Sequence, residues 1–212
     1  MRRPSQVAAI VGIIAGVFAL AGCGPAIPTD ARPSTSASPA PSAAPSPSTR
    51  ATSGSFAGAV AVDRSLLDVL PGEVQGQAIR FDDVTAAEIA GNGNLAPDIE
   101  AIGLALYIQP GSSATPDDLA IVSVVRVRSG VFDDAWFRSW RSTYDIGACE
   151  IAGGVEPGSA VSEIGTHETH IGSCTGGVHT YHVHLPSPDR VVSITAAGDG
   201  RFGERVVAGL TE

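Results

Sequence analysis

The sequence lacks the motifs by which many enzymes and nucleic-acid-binding proteins are recognised. It contains no Gly-x-Ser-x-Gly nucleophile motif, no phosphate-binding loop and no dinucleotide fingerprint. It has no lysine, a bias we attribute to coding rather than to function, and its formal net charge is −9. Because so acidic a surface repels phosphate backbones, we expect no nucleic-acid partner. The sequence therefore favours a non-enzymatic protein, with no catalytic residue and no cofactor.

The N-terminal apolar run, Val7–Leu20, is too short for a permanent membrane-spanning helix. As a helix it would extend about 21 Å, whereas the hydrocarbon core of a bilayer is about 30 Å thick. The run follows the short basic segment Met1–Gln6 and ends in the tetrapeptide Leu-Ala-Gly-Cys at Cys23. A basic segment, a short apolar core and small residues at its end predict a signal peptide over residues 1–22.

The tetrapeptide Leu20-Ala21-Gly22-Cys23 resembles the lipobox of bacterial lipoproteins. The resemblance implies cleavage before Cys23 and attachment of a diacylglyceryl lipid, with palmitate-type acyl chains, to its sulfur. Small residues before the cysteine fit a narrow peptidase site, and the thiol is the nucleophile that takes the lipid. We therefore expect a protein anchored in the cell membrane through Cys23 and facing the extracytoplasmic side.

A tether and one globular domain follow the lipobox. Residues 23–55 are mostly Pro, Ser, Ala and Thr, which bury too little apolar surface to offset the entropy of ordering, so we predict a disordered spacer there. Residues 56–212 are long enough for a single core. Helical and strand-like segments mix in this part without βαβ regularity, which predicts an α+β domain with an antiparallel sheet packed by a few helices.

The elements of this domain are predicted from periodicity and end signals. We expect helices over Asp63–Pro71, Asp83–Gly91, Phe132–Tyr144 and Arg201–Leu210, and strands over Glu73–Asp82, Leu119–Arg128, Ser162–Ile171, Gly177–Leu185 and Arg190–Ala197. Ala96–Gln109 has apolar residues at helical spacing, although its end also fits a strand.

The pattern of these elements resembles a loose group of uncharacterised lipoproteins and exported proteins of actinobacteria and related soil bacteria. The segments that carry the resemblance are "LLDVLPGEVQGQAIRFDDVTAAEI", "LAIVSVVRV" and "GGVHTYHVHLPSPDRVVSITAAGDGRFGERVVAGL", within Ser65–Leu210. The resemblance implies the architecture and brings no catalytic residue with it.

Cys149 and Cys174 remain once Cys23 is lipidated. An even pair in an exported protein predicts a disulfide, which would join the end of a helix to a glycine-rich turn. The alternative is that one of the thiolates is a metal ligand or a nucleophile.

All five histidines lie within Thr166–His184. If the strands around them form a hairpin centred between Cys174 and Thr175, His167 lies opposite His182. His184 then lies two residues further along, on the same face.

Three histidines on one face would form a candidate zinc or copper site made of His167, His182 and His184. Two alternatives remain open. One is that the histidines are solvated or hydrogen-bonded for structural reasons. The other is a face that senses pH, since clustered imidazoles charge together below about pH 6.5.

Phe132, Trp136, Trp140 and Tyr144 recur every four residues along one predicted helix. Such a stripe is typical of the face that a helix packs against its sheet. Exposed aromatic rings would instead stack on envelope glycans.

We therefore expect a lipid-anchored cell-envelope protein whose domain binds or interacts with a ligand without catalysis. The alternatives are a zinc- or copper-binding lipoprotein and an envelope-glycan-binding module. The expected partners are the membrane, through Cys23, and an envelope protein or glycan.

Overall fold

The computed structural model describes residues 58–111, 117–153, 158–186 and 188–212. The predicted signal peptide, Cys23 and the predicted tether lie outside these residues. The described strands are β1 (Ala61–Val62), β2 (Glu73–Val74), β3 (Gln77–Ala78), β4 (Arg80–Phe81), β5 (Ile99–Gln109), β6 (Asp118–Val127), β7 (Gly158–Ile164), β8 (His167–Ser173), β9 (Val178–Pro186) and β10 (Asp189–Ala197). The helices are a 3-10 helix (Arg64–Val69), α1 (Asp83–Ala90), α2 (Asp134–Ile151) and α3 (Phe202–Ala208).

One twisted sheet organises the described residues. Its strand order is β1-β5-β6-β10-β9-β8-β7, and β4 pairs with β5 beside β1. The pairings are antiparallel except that between β1 and β5, which is parallel. The domain is therefore α+β, as predicted, with a mixed rather than purely antiparallel sheet. β2 and β3 form a separate hairpin.

Helices cover both faces of the sheet. We call one the α2 face, where α1 and α2 pack on residues such as Leu104, Ile121 and Val191. The other is the α3 face, where the 3-10 helix and α3 pack on residues such as Val122 and Ile194. Burial on both faces explains why β5 and β6 are almost continuously apolar, rather than alternating between apolar and polar residues.

Aspartates begin the two longer helices. The Asp82 side chain accepts a hydrogen bond from the Thr85 amide at the start of α1, and Asp133 accepts one from the Trp136 amide at the start of α2. Each carboxylate satisfies an amide that has no partner within the helix and faces the positive end of the helix dipole.

Three predicted elements differ in the structure. The predicted strand Ser162–Ile171 is divided into β7 and β8 by a turn that contains Gly165, whose φ angle is 63°. Ala96–Gln109 has helical spacing, yet Ile99–Gln109 is a strand, because apolar residues that fill both faces of a buried strand also match a helical period. The predicted strand Glu73–Asp82 is divided into β2, β3 and β4. The division occurs at Gln75 and Gly76, whose positive φ angles of 51° and 77° form a tight turn.

Among the described residues, no helix combines the length and the apolar character that crossing a membrane requires.

The predicted disulfide between Cys149 and Cys174 is present. Cys149 lies near the end of α2, and Cys174 directly follows β8. Both side chains are buried, so the bond fastens the C-terminal end of α2 to the β8–β9 turn.

We predict that replacing both Cys149 and Cys174 with serine lowers the free energy of unfolding by about 3 kcal/mol, because the unfolded chain loses a cross-link. The bond spans a sequence separation of 25 residues. Urea denaturation of wild type and double variant measures the loss. A matched single variant, Cys149→Ser, should lose at least as much, since it leaves one buried thiol unpaired. Equal stability of the double variant and the wild type would contradict the prediction.

Candidate functional site

The register in which β8 and β9, the strands that carry the histidines, pair differs from the predicted register by an odd number of residues. β8 and β9 pair His170 with His182 and Ser173 with His179, whereas the predicted hairpin paired His167 with His182. A shift by an odd number moves every side chain of one strand to the other face. The difference arises because Cys174 donates its amide to the carbonyl of Val178, so the turn is centred later in the chain than predicted.

His167 therefore does not meet the other two predicted ligands. It lies on the α3 face, buried, where its Nε2 atom is 3.4 Å from the carbonyl oxygen of Leu210. His182 and His184 lie on the α2 face. The predicted trio is wrong, and no group of three or more His, Cys, Asp or Glu side chains in the described ranges is placed to hold a metal ion.

A buried hydrogen-bond network surrounds His182 instead. Its Nε2 atom is 2.8 Å from Asp145 Oδ1 of α2, and its Nδ1 atom is 3.0 Å from Ser193 Oγ of β10. Trp140 Nε1 donates to Ser193 Oγ at 3.0 Å, and the Thr180 hydroxyl donates to Asp145. The network joins α2 to the two central strands β9 and β10.

The donors in this network define the tautomer of His182. An indole N–H can only donate a hydrogen bond, so Ser193 Oγ accepts one from Trp140. The Ser193 hydroxyl then donates its own proton in a hydrogen bond to His182 Nδ1. An ionised Asp145 can only accept, so His182 Nε2 carries the ring proton. Every polar atom of the imidazole is thereby satisfied with His182 neutral.

Burial keeps His182 neutral. Desolvation lowers the pKa of His182, and the hydrogen bond from Nε2 to Asp145 opposes this lowering only in part. Desolvation also lowers the pKa of His170, on the neighbouring strand, and the nearby Arg141 guanidinium adds to that effect. Both imidazoles therefore resist protonation in the folded protein.

Asp145, His182 and Ser193 have the connectivity of a hydrolase triad, but not the access. Ser193 and His182 are each 0% exposed, and Trp140 already donates to the serine oxygen. A substrate carbonyl cannot reach Ser193 Oγ in this arrangement, since nucleophilic catalysis requires the nucleophile to contact its substrate. The network is a structural connection between helix and sheet.

The aromatic stripe of α2 packs toward the sheet, in agreement with the interpretation that it is the packing face of the helix. Trp136 Nε1 donates to Asp98, and Trp140 Nε1 donates to Ser193. Tyr144 is buried and accepts a hydrogen bond from Thr195. Because these polar atoms point inward, the stripe stabilises the docking of α2, while the Trp136 and Trp140 side chains remain half-buried.

The candidate binding site is a cleft on the opposite, α3 face of the sheet. It has a volume of about 390 Å³ and lies between the ends of β8, β9 and β10 and the start of α3. Its apolar lining includes Ile171, Ala196 and Phe202. Its polar lining consists of Ser173, His179, Tyr181, Asp199, Arg201 and Glu204.

Tyr181 is the most buried polar group of the cleft. Its ring packs against α3 where Gly203 leaves room, since a Cβ at Gly203 would overlap the ring. Burial, with a smaller contribution from Glu204, raises the pKa of Tyr181 to about 12. Its hydroxyl therefore remains protonated at neutral pH and can both donate and accept a hydrogen bond.

The loop 198–201 beside the cleft is tightly constrained. Gly200 donates its amide to Asp118 Oδ1 at 2.7 Å, and a Cβ at Gly198 would overlap that carboxylate. Gln75 Nε2 donates to the Gly200 carbonyl at 3.1 Å, and Arg205 Nε donates to the same oxygen.

This loop holds Arg201 in a left-handed backbone conformation, with φ of 54°. Gln75 is the other non-glycine residue with positive φ in the described ranges, and its side chain supports the same loop. A left-handed residue other than glycine costs about 1–2 kcal/mol. Strain of this kind is common where a side chain has a binding role, and here it positions the Arg201 guanidinium next to Glu204 at the cleft.

Sequence reasoning did not identify this cleft. Its lining comes from three consecutive strands, the loop that follows them and the start of α3, all within residues 171–204, and no local motif marks it. The signal that was available is "GDGRF", a glycine-rich turn before a helix, in which Arg201 occupies a position that favours glycine.

The fold and the cleft define a sheet-rich α+β domain with a small polar cleft. No family model and no curated protein matches the chain. Among solved structures it is similar to LpqN, described as involved in cell envelope biogenesis of Mycobacterium tuberculosis, with 18% sequence identity and a TM-score of 0.33. The alignment covers 66% of this chain and 76% of that chain. At this identity and TM-score, the similarity establishes neither a shared fold nor a shared function.

We predict that the protein loses stability as the pH falls below about 6.5, the pKa of an unperturbed histidine. The unfolded chain then binds protons that buried His182 and His170 resist, so the loss continues until the pH reaches their lowered folded-state pKa values. Thermal unfolding between pH 8 and 5 measures the slope.

The variant His182→Gln should reduce this slope, because glutamine does not titrate. It should also lower the free energy of unfolding at pH 8 by about 1–3 kcal/mol, through loss of one hydrogen bond in the network. His179→Gln, the same change at a half-buried position of β9, is the control. An unchanged slope in His182→Gln would contradict the role assigned to His182.

Proposed function

We propose that this protein is a lipid-anchored binding protein of the cell envelope, held on the extracytoplasmic face through Cys23. Its domain binds a small polar ligand without chemical conversion, and the ligand occupies the cleft beside α3. The observation that carries the binding role is the cleft itself, in which polar side chains converge over an apolar lining next to a strained arginine.

The lipobox Leu20-Ala21-Gly22-Cys23 and the buried disulfide support the location. A disulfide persists in oxidising compartments outside the cytoplasm. The Pro- and Ser-rich residues 24–55 supply a spacer long enough to lift the domain from the membrane surface.

The charges of the cleft favour a neutral ligand. Arg201 is paired with Glu204, and Asp199 adds a second carboxylate, so the lining is net acidic and disfavours an anion. The neutral Tyr181 hydroxyl, Ser173 and His179 offer donors and acceptors within one small volume. Alternating donors and acceptors over apolar side chains fit a ligand with hydroxyl and amide groups, such as a fragment of an envelope glycan.

The anchor is tested by growing a bacterial host that expresses the full chain with an alkyne analogue of palmitate. We expect the label on the wild-type protein and none on Cys23→Ser, because the thiol is the acceptor of the lipid. Cys149→Ser should keep the label and serves as the control for a lost cysteine. A labelled Cys23→Ser protein, or an unlabelled wild type, would show that Cys23 is not the site.

The cleft is tested by amide chemical shifts of isotope-labelled protein, residues 24–212, titrated with the disaccharide of N-acetylglucosamine. We expect shifts to cluster at Tyr181, Arg201 and Glu204. Tyr181→Phe and Arg201→Gly should each weaken binding by about tenfold, through loss of a hydrogen bond to the ligand.

Two features keep this test specific to the cleft. Arg201→Gly retains the left-handed backbone, so its melting temperature should equal or exceed that of the wild type. Arg80→Ala, on the exposed strand β4 at the other end of the sheet, should bind like the wild type. Shifts that are absent, scattered over the surface or unchanged in both cleft variants would count against the proposal.

A further inference from the structure

We propose that β7 is a contact between two copies of this chain. The two β7 strands pair antiparallel, edge to edge, and join the two sheets into one. The contact lies at the edge of the sheet beyond β8, away from the central strands. It depends on neither the proposed ligand nor the lipid.

The edge at β7 carries little of the usual protection against strand pairing, since Glu163 is its one charged residue. β7 ends the strand order, and within the described ranges no strand pairs with its outer side. Its sequence, Gly-Ser-Ala-Val-Ser-Glu-Ile, contains no proline, lysine or arginine. Its register with β8 runs without a bulge from Gly158 to Ile164. A straight strand of seven residues with a free edge is a template for another strand.

Val161, at the centre of β7, is apolar and uncovered. Its side chain is 61% exposed, and it lies on the α2 face directly opposite His170. α2 covers β8 and β9, the two strands next to β7. There the ring of Phe137 packs edge-on against that of His170, with ring centroids 5.4 Å apart. The helix does not extend over Val161, which leaves an apolar side chain at the rim of the sheet.

The sequence of β7 is complementary to itself in one register. Antiparallel pairing centred on Val161 places it opposite Val161 of the second copy, so the two exposed side chains cover each other. The same register places Ser159 opposite the second copy's Glu163. The two Glu163 carboxylates are then separated along the strand by about 14 Å, so like charges do not face each other. Centring the pair one residue later, on Ser162, would instead place Val161 opposite a glutamate.

The N-terminal end of the described domain lies far from this edge. The described domain begins at Gly58, next to β1, which is at the opposite end of the strand order. Six strand spacings, or about 29 Å, separate the two edges. The first described residue of the domain is therefore at the far edge, away from β7.

The experiment is sedimentation velocity of residues 24–212 over a series of concentrations from micromolar to near-millimolar. We expect a shift from monomer to dimer with rising concentration. Val161→Lys should weaken the dimer by about tenfold, because it replaces an apolar contact with two like charges at the symmetry axis. Val84→Lys, at a site 72% exposed on α1, is the matched control and should dimerise like the wild type.

A charge exchange makes the test specific for self-pairing at residue 161. Val161→Glu should also weaken the dimer, whereas an equal mixture of Val161→Lys and Val161→Glu should restore it, because opposite charges then meet. Unchanged melting temperatures at low concentration show that the variants fold. A wild type that stays monomeric throughout, a dimer unaffected by Val161→Lys, or a mixture that remains monomeric would each overturn the proposal.

Discussion

The hydrogen bond between His182 Nε2 and Asp145 Oδ1 connects the middle of α2 to the middle of the sheet, and the polar interior beneath that helix depends on it. With the imidazole neutral, His182 Nδ1 accepts a hydrogen bond from the Ser193 hydroxyl, whose oxygen in turn accepts one from Trp140 Nε1. Gly172 leaves the space that this arrangement needs, since a Cβ there would overlap Thr180 Oγ1. A buried network is stabilising only when every member is satisfied, and this one is.

Three of the five histidines, His167, His182 and His184, are held by separate protein contacts. His182 is enclosed, His167 contacts the end of the chain near Leu210, and His184 stacks on Phe132 with ring centroids 3.6 Å apart. Each of these three imidazoles thus has its own protein partner. A cluster in sequence becomes several separate contacts in space, because alternate residues of a strand point to opposite faces.

Most elements of the fold could be predicted from the sequence, because capping aspartates, prolines, glycines and apolar periodicity act locally. The register of the β8–β9 hairpin could not. It depends on which residues form the turn after Cys174, and a register error of an odd number of residues exchanges the faces of a whole strand. β5 was ambiguous for a different reason, since burial on both faces removes the alternation that distinguishes a strand. The cleft could not be predicted, because it depends on the register of β8, β9 and β10 and on where α3 packs on them.

The spacing of Asp145 and Cys149 along α2 links the network to the disulfide. Four residues apart, they lie on the same side of the helix, one turn from each other. In the folded chain, the contact of Asp145 with His182 and the bond between Cys149 and Cys174 hold this one side of α2 to β9 and to the β8–β9 turn. Two attachments one turn apart fix both the position of the helix along the sheet and its rotation about its own axis.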